Sequence, residues 1–218
     1  MEIFEILKKR VKTSPDKIAV IFRGEEIPWR KIEENYLRLA NSLKGLGVKQ
    51  GDRVALYLPN WPEYIYSYLA IWSLGAVAVP LDFMLTADEL SSCLSHSETK
   101  ILIAKPKATL NLYSLKERCP LLKEIITCQD KVEGLLFFND CLSSGSTKNI
   151  NTEAKDSDYA IIFYTSGTTG KPKGVLINYR QLSAPPKSME FFVKSDLSDK
   201  DSALCALPFS HLGGLIYL

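Results

Sequence analysis

Residues 164–174 read YTSGTTGKPKG. Thr165, Ser166, Thr168 and Thr169 bring hydroxyls, and Lys171 and Lys173 bring positive charge. Gly167, Gly170 and Gly174 let the backbone bend and bring its N–H groups close to a ligand. Hydroxyls, lysines and exposed amides after a buried strand are suited to holding a polyphosphate, with lysine acting as a point charge. The order is not that of a Walker loop, which places four residues between its glycines and Ser or Thr after its Lys. Here Gly167 and Gly170 enclose two residues, and Pro172 follows Lys171. The apolar run VLIN (175–178) comes next and reads as a strand, so no helix follows to act as an anion pole. A second candidate is His211 in LPFSHLGGL (207–215), where structure and chemistry are both open roles for the bare residue.

The elements that must position these residues alternate between helical and strand patterns. Trp29, Ile32, Tyr36, Leu39, Ala40, Leu43 and Leu46 share one helical face, and Gly45 and Gly47 can end that helix. VALYL (54–58) suits a strand buried on both faces. A buried helix over 62–74, stopped by Gly75, leads to a strand over 76–79. Thr86 and Glu89 form a capping box for a helix through about Ser95. ILIA (101–104), a helix over roughly 108–118 and EIITC (124–128) continue the alternation. YAIIFY (159–164) and VLIN flank the glycine-rich loop, and 204–207 reads as another strand. Pro185 and Pro186 should break any helix begun near Tyr179. Residues 143–157 are polar and read as a surface linker. Helical connections between strands imply an α/β fold of mostly parallel sheets with flanking helices, the 53–58, 76–80 and 101–104 strands being neighbours.

Composition narrows the function. The 218 residues are 46% hydrophobic and 24% charged, an ordinary globular balance, with a net charge of +2 that argues against nucleic acid as a partner. Five scattered cysteines without CxxC spacing, and only His96 and His211, argue against a metal centre built from Cys or His. The cysteines read as small buried hydrophobes in a cytoplasmic protein. The uncharged stretch 64–81 contains Gly75, Pro80, serines and tyrosines, so it reads as helix plus strand and not as a transmembrane segment.

YTSGTTGKPKGV resembles the phosphate-loop signature of the AMP-forming adenylate superfamily, which includes acyl-CoA synthetases, amino-acid adenylation domains and luciferases. The likeness extends over nearly the whole chain: PDKIAVIFRGEEIPWRK through PLDFMLTADEL resembles the family's opening segment, and LPFSHLGGL its next motif. GTTG and PLDFMLTADEL favour acid–CoA ligases within it. Asn178-Tyr179 stands where Thr-His is usual. The resemblance implies the N-terminal portion (1–218) of the large domain of an acyl-CoA synthetase-like fold. The expected reaction is ATP-dependent activation of a carboxylic, chiefly fatty, acid to an acyl-adenylate and then an acyl-CoA. ATP, Mg²⁺ and CoA are the implied cofactors. Thr165, Ser166, Gly167, Thr168, Thr169, Gly170, Lys171 and Lys173 are expected on the ATP phosphates, Thr165 also on the metal, and His211 as a catalytic residue beside the acyl and AMP site. Other readings are an adenylating enzyme with a non-CoA acceptor, or a binding remnant of the fold. The family's later motifs are not matched, so the chain alone is expected to be inert. It is also expected to form homodimers or aggregates, or to pair with a separate chain supplying the missing half.

Overall fold

The computed structural model describes residues 2–165, 173–182 and 201–215. The chain opens with α1 (Glu2–Thr13), an antiparallel hairpin of β1 (Ile18–Phe22) and β2 (Glu25–Pro28), and the long α2 (Trp29–Gly45). Then come β3 (Arg53–Tyr57), α3 (Pro62–Ser73), β4 (Val77–Pro80), α4 (Ala87–His96), β5 (Ile101–Ala104), α5 (Leu112–Arg118) and β6 (Glu124–Thr127). The short β7 (Leu136–Phe137) and α6 (Phe138–Ser144) lead to β8 (Tyr159–Thr165), β9 (Lys173–Asn178) and one helical turn, α7 (Tyr179–Leu182). A last turn, α8, spans Leu212–Leu215.

The main sheet has the order β7-β6-β5-β3-β4-β8-β9. All neighbours run parallel except β9, which returns antiparallel to β8 at the edge. The expected parallel set around β3 is therefore present, with β3 between β5 and β4. Alternation along β3 explains the two layers. Val54 and Leu56 face the core shared with α2 and α3, whereas Ala55 and Tyr57 face the core shared with α4 and α5. The chain steps from β3 to β4 over one face and back to β5 over the other, as right-handed crossovers in opposite directions require.

Local signals act as read. Gly75 ends the α3 turn at φ +66°, and a Cβ there would lie 2.7 Å from Thr152 Oγ1. Both halves of the Thr86/Glu89 capping box form. Other expectations need correction. The fifth helix begins only at Leu112, because Asn111 Oδ1 accepts the N–H groups of Tyr113 and Ser114 as an N-cap. Residues 204–207 form no strand. Leu204 is 89% exposed, and Asn60 occupies the backbone groups beside Pro208 that a neighbouring strand would use. Within 143–157, the first two residues finish α6, and the following loop is tied to α2. Arg38 Nη1 donates to Gly145 O at 3.0 Å, and Asn41 Nδ2 donates to Ser146 O and Lys148 O at 2.8 and 2.9 Å. The helix break expected at Pro185 and Pro186 lies outside the described residues.

Candidate active site

The glycine-rich segment connects the two strands of the β8–β9 hairpin. Thr165, the last residue of β8, is the cross-strand partner of Lys173, the first residue of β9. Opposed residues of an antiparallel pair hold their Cβ atoms roughly 4.5–5.5 Å apart, so a hydroxyl and an ammonium are brought together at the mouth of the hairpin. Both residues are exposed. The mouth opens at the carboxyl edge of the parallel strands, the edge at which open α/β sheets bind ligands. Ser166, Gly167, Thr168, Thr169, Gly170 and Lys171 lie outside the described residues.

The hairpin is anchored on several sides. The Tyr164 hydroxyl lies 2.7 Å from His96 Nδ1 and donates to Cys93 O at 3.2 Å, which fixes β8 to the end of α4. Burial pushes that phenol up to about 12, so it stays protonated at neutral pH. Trp72 Nε1 donates to Ala160 O at 3.1 Å from the opposite layer. Gly174 sits opposite Tyr164, and a Cβ on it would come within 3.0 Å of Ile162. Asn178 and Tyr179, which depart from the family's Thr-His, have local work. Asn178 Oδ1 accepts from Gln181 N–H while Gln181 Oε1 accepts from Asn178 N–H, a reciprocal cap on α7. Tyr179 donates its hydroxyl to Ala76 O at 3.1 Å, at the start of β4.

His211 stands on a separate support at the same edge. Asn60, three residues beyond β3, donates from Nδ2 to Leu207 O at 2.7 Å and accepts Phe209 N–H on Oδ1 at 2.8 Å. Tyr68 donates to Phe209 O at 2.8 Å. The Phe209 ring meets Tyr64 edge-on at 5.7 Å, and Tyr64, Tyr68 and Trp72 form a ladder along α3 with centroids 5.1 and 4.8 Å apart. Burial pushes the Tyr64 and Tyr68 phenols well up, which keeps both neutral. The His211 ring is exposed, with Nε2 3.6 Å from Asp82 Oδ2, and Asp82 Oδ1 is oriented by Met84 N–H at 2.8 Å. The following glycine is required by space: a Cβ on Gly214 would lie 2.1 Å from Pro208 O.

Sequence reasoning singled out Thr165, Lys173 and His211, and the structure places all three on one edge. It missed Asn60, Tyr68, Asp82 and His96, whose partners are remote in the chain. The hairpin mouth fits a polyphosphate in donor chemistry. Among the described residues no three His, Cys, Asp or Glu side chains converge to cage a metal. Thr165, exposed at the hairpin mouth, is the described residue whose hydroxyl could meet a phosphate-borne Mg²⁺.

This fold recurs in known proteins. Residues 7–218 match the family model described as AMP-binding enzyme, and the chain belongs to that family. It is 32% identical over 212 residues to a 2-succinylbenzoate–CoA ligase of Listeria monocytogenes, covering 96% of this chain and 40% of that protein. It is 28% identical over 236 residues to a long-chain-fatty-acid–CoA ligase of Bacillus subtilis, covering 96% and 42%. The crystal structure of the N-terminal domain of FACL13 from Mycobacterium tuberculosis superposes with a TM-score of 0.82 at 28% identity, over 99% of this chain and 54% of that one. The chain thus spans about 40% of the length of these two CoA ligases.

Proposed function

We propose that this chain carries the phosphate-holding part of an ATP-dependent acid–CoA ligase, acting within a longer or split enzyme. The observation that carries the reading is the Thr165–Lys173 pair facing each other at the mouth of the β8–β9 hairpin. In the proposed reaction a carboxylate attacks the α-phosphorus of ATP, pyrophosphate leaves, and the CoA thiol then displaces AMP from the acyl-adenylate. Thr165, Ser166, Gly167, Thr168, Thr169, Gly170, Lys171 and Lys173 would hold the departing β- and γ-phosphates, where a preorganised positive charge favours the transition state over the ground state. Mg²⁺ would screen the same phosphates. His211 would stand beside the acid. A fatty acid is the proposed substrate, supported by the likeness to the Bacillus subtilis ligase, while the Listeria monocytogenes relative is named for a different acid.

The cysteines are free thiols, four of them buried, in keeping with a cytoplasmic setting. No helix among the described residues is long and apolar enough to cross a membrane. The exposed Val175 and Leu176 on the outer strand β9 are the proposed contact for a second copy or for the chain that completes the enzyme.

The experiment has two arms. In the first, ³¹P NMR follows ATP and pyrophosphate titrated into the chain with Mg²⁺, for the native protein and for Thr165→Ala and Lys173→Ala. Binding that both substitutions weaken is expected, and equal binding by all three would remove the hairpin from phosphate recognition. In the second, exchange of labelled pyrophosphate into ATP is measured with a panel of acids in the enzyme that contains this chain. Acid-dependent exchange followed by CoA thioester formation is expected. Adenylate that forms but is never passed to CoA would assign a different acceptor.

A further inference from the structure

We propose that Asn60 is a positioning residue for the reaction: its side-chain amide sets the place of the segment that carries His211. This rests on the reading of His211 as standing beside the acid, and it concerns a residue 151 positions earlier in the chain. A carboxamide presents a donor and an acceptor in one plane. Asn60 uses both on the same short segment, Nδ2–H to Leu207 O and Oδ1 from Phe209 N–H, the pair of bonds that a neighbouring strand would otherwise make. Asp cannot donate, Ala can do neither, and Gln is longer by a methylene, so the residue type matches the task.

Core satisfaction alone does not account for the contact. The bond to Leu207 O is exposed and could be replaced by water, the bond from Phe209 N–H is part-buried, and the apolar anchoring of the segment is done by the Phe209 ring against Tyr64. The clamp instead defines a frame. Residues 207–209 are held by Asn60 from the β3–α3 turn and by Tyr68 from α3, while His211 meets Asp82 beyond β4. From that frame to the imidazole the chain has little freedom. His211 N–H returns to Pro208 O at 3.0 Å, Gly214 N–H reaches His211 O at 3.0 Å, and the turn is closed so tightly that only glycine fits at 214. A displacement at 207–209 is therefore carried to the His211 ring. Misplacement of a reacting or orienting group by about 1 Å costs on the order of a hundredfold in rate.

The test uses the full chain and exploits its two histidines. Side-chain ¹⁵N–¹H correlations report His211 at the site and His96, held on Tyr164, as an internal monitor of the fold. Asn60→Ala is expected to shift and broaden the His211 signals, leave those of His96 in place, and raise chymotryptic cleavage after Phe209 roughly tenfold or more. Asn60→Asp keeps the acceptor and loses the donor, so its effect should be intermediate. In an enzyme preparation with acid-dependent exchange, Asn60→Ala should lower kcat on the order of tenfold to a hundredfold while KM for ATP stays within about twofold. Unchanged His211 signals and cleavage in Asn60→Ala would overturn the proposal. Loss of the His96 signals together with those of His211 in both variants would make Asn60 a folding residue and would also overturn it. Absence of exchange in any preparation would count against the ligase reading alone, since the NMR and cleavage readouts do not depend on it.

Discussion

At the amino edge of the central sheet the charges around β3 and β5 answer one another. Asp52 Oδ2 accepts from Lys100 Nζ at 2.7 Å and from Lys49 N–H at 2.8 Å, and Lys100 also donates to Gly47 O. Arg53 donates to Ser97 O at 2.7 Å and to the backbone and carboxylate of Glu98. These bonds join the turns before β3 and β5 into one closed set. The carboxyl edge uses similar residue types to another end. Thr165, Lys173 and His211 are exposed there. Its long-range bonds, Asn60 to 207–209 and Tyr68 to Phe209, hold backbone in place and leave the His211 side chain facing outward. Polar groups that satisfy one another hold a sheet together, whereas polar groups aimed at open space are available to a ligand.

If that division is right, the largest effect of a single substitution falls on activity at the carboxyl edge with almost none on stability. Lys173→Ala is expected to lower acid-dependent pyrophosphate exchange on the order of a hundredfold to a thousandfold, as loss of one preorganised charge-stabilising group does elsewhere. The denaturation midpoint should stay put, because the side chain is exposed. A drop in stability of similar weight to the loss of activity would show that Lys173 holds the hairpin together, and the contrast between the edges would fail at its clearest point.

Asp52→Asn reverses the pattern. It removes the charge that answers Lys100 at a site where both side chains are mostly shielded, so unfolding free energy should fall by about 1–3 kcal/mol in urea titration, with exchange per folded molecule unchanged. The pH dependence has a definite sign. Burial alone would raise the Asp52 carboxyl, but the Lys100 hydrogen bond, the Lys49 N–H and the nearby positive charges outweigh it and hold it below its usual 3.8. A depressed folded value means that the contribution is fully present above the unfolded value and is lost as the pH falls through the folded one. The gap between native protein and Asp52→Asn should therefore narrow on acidification below about pH 4. A gap that widens there would show that the carboxylate is not stabilised by these partners.

Lys107 is the residue best placed to break the scheme. It lies at the carboxyl edge beyond β5, yet it is half-buried, with its ammonium 3.9 Å from the Phe83 ring centroid, 3.0 Å from the Tyr57 hydroxyl and bonded to Phe83 O. Its stem and charge are absorbed by an aromatic wall of Tyr57 and Phe83. Lys107→Met keeps the stem and removes the charge. A stability loss of about 1–2 kcal/mol with exchange intact is expected. A loss of exchange with unchanged stability would move Lys107 to the ligand side of the division.

The sequence made one layer of this legible and hid the other. Strands such as ILIA and VALYL announce themselves because both faces are buried, and the Thr86 capping box and Gly75 mark helix ends by local chemistry that does not depend on the rest of the fold. The phosphate loop is legible for the same reason, since its hydroxyls, glycines and lysines are contiguous. The β1–β2 hairpin escaped because Ile18–Phe22 is only partly buried and its turn rests on Arg23 and Gly24 at positive φ. The α6 helix is short and follows a two-residue strand, so it offers no period to read. The Asn60 clamp spans 147 to 149 residues and leaves no trace in local spacing. It also explains the misread strand at 204–207: an apolar run is necessary for a strand, but its backbone must find a strand to pair with, and here it found a side chain.

The smallest effect belongs to Glu98 at the amino edge, where two terms of opposite sign can be separated. Glu98 sits at φ +51°, a left-handed conformation that disfavours residues with a Cβ, and its carboxylate meets Arg53 Nη2 at 2.7 Å. The ion pair is largely exposed on the Glu98 side, at 64%, so its worth is about 0.2–1 kcal/mol. Glu98→Gln keeps the strain and loses the charge, so it should destabilise by that amount, with the difference shrinking as salt is added. Glu98→Gly loses the same ion pair but removes the Cβ that crowds the left-handed turn, a relief of about 0.4–1 kcal/mol. Arg53 would still reach the carbonyls of Ser97 and residue 98. Glu98→Gly should therefore be more stable than Glu98→Gln and lie within about 0.5 kcal/mol of the native protein, with exchange unaffected in both. If Gly proves the less stable of the two, the closed set at the amino edge depends on the Glu98 side chain for more than its charge, and the turn before β5 is held by that side chain and not by its backbone.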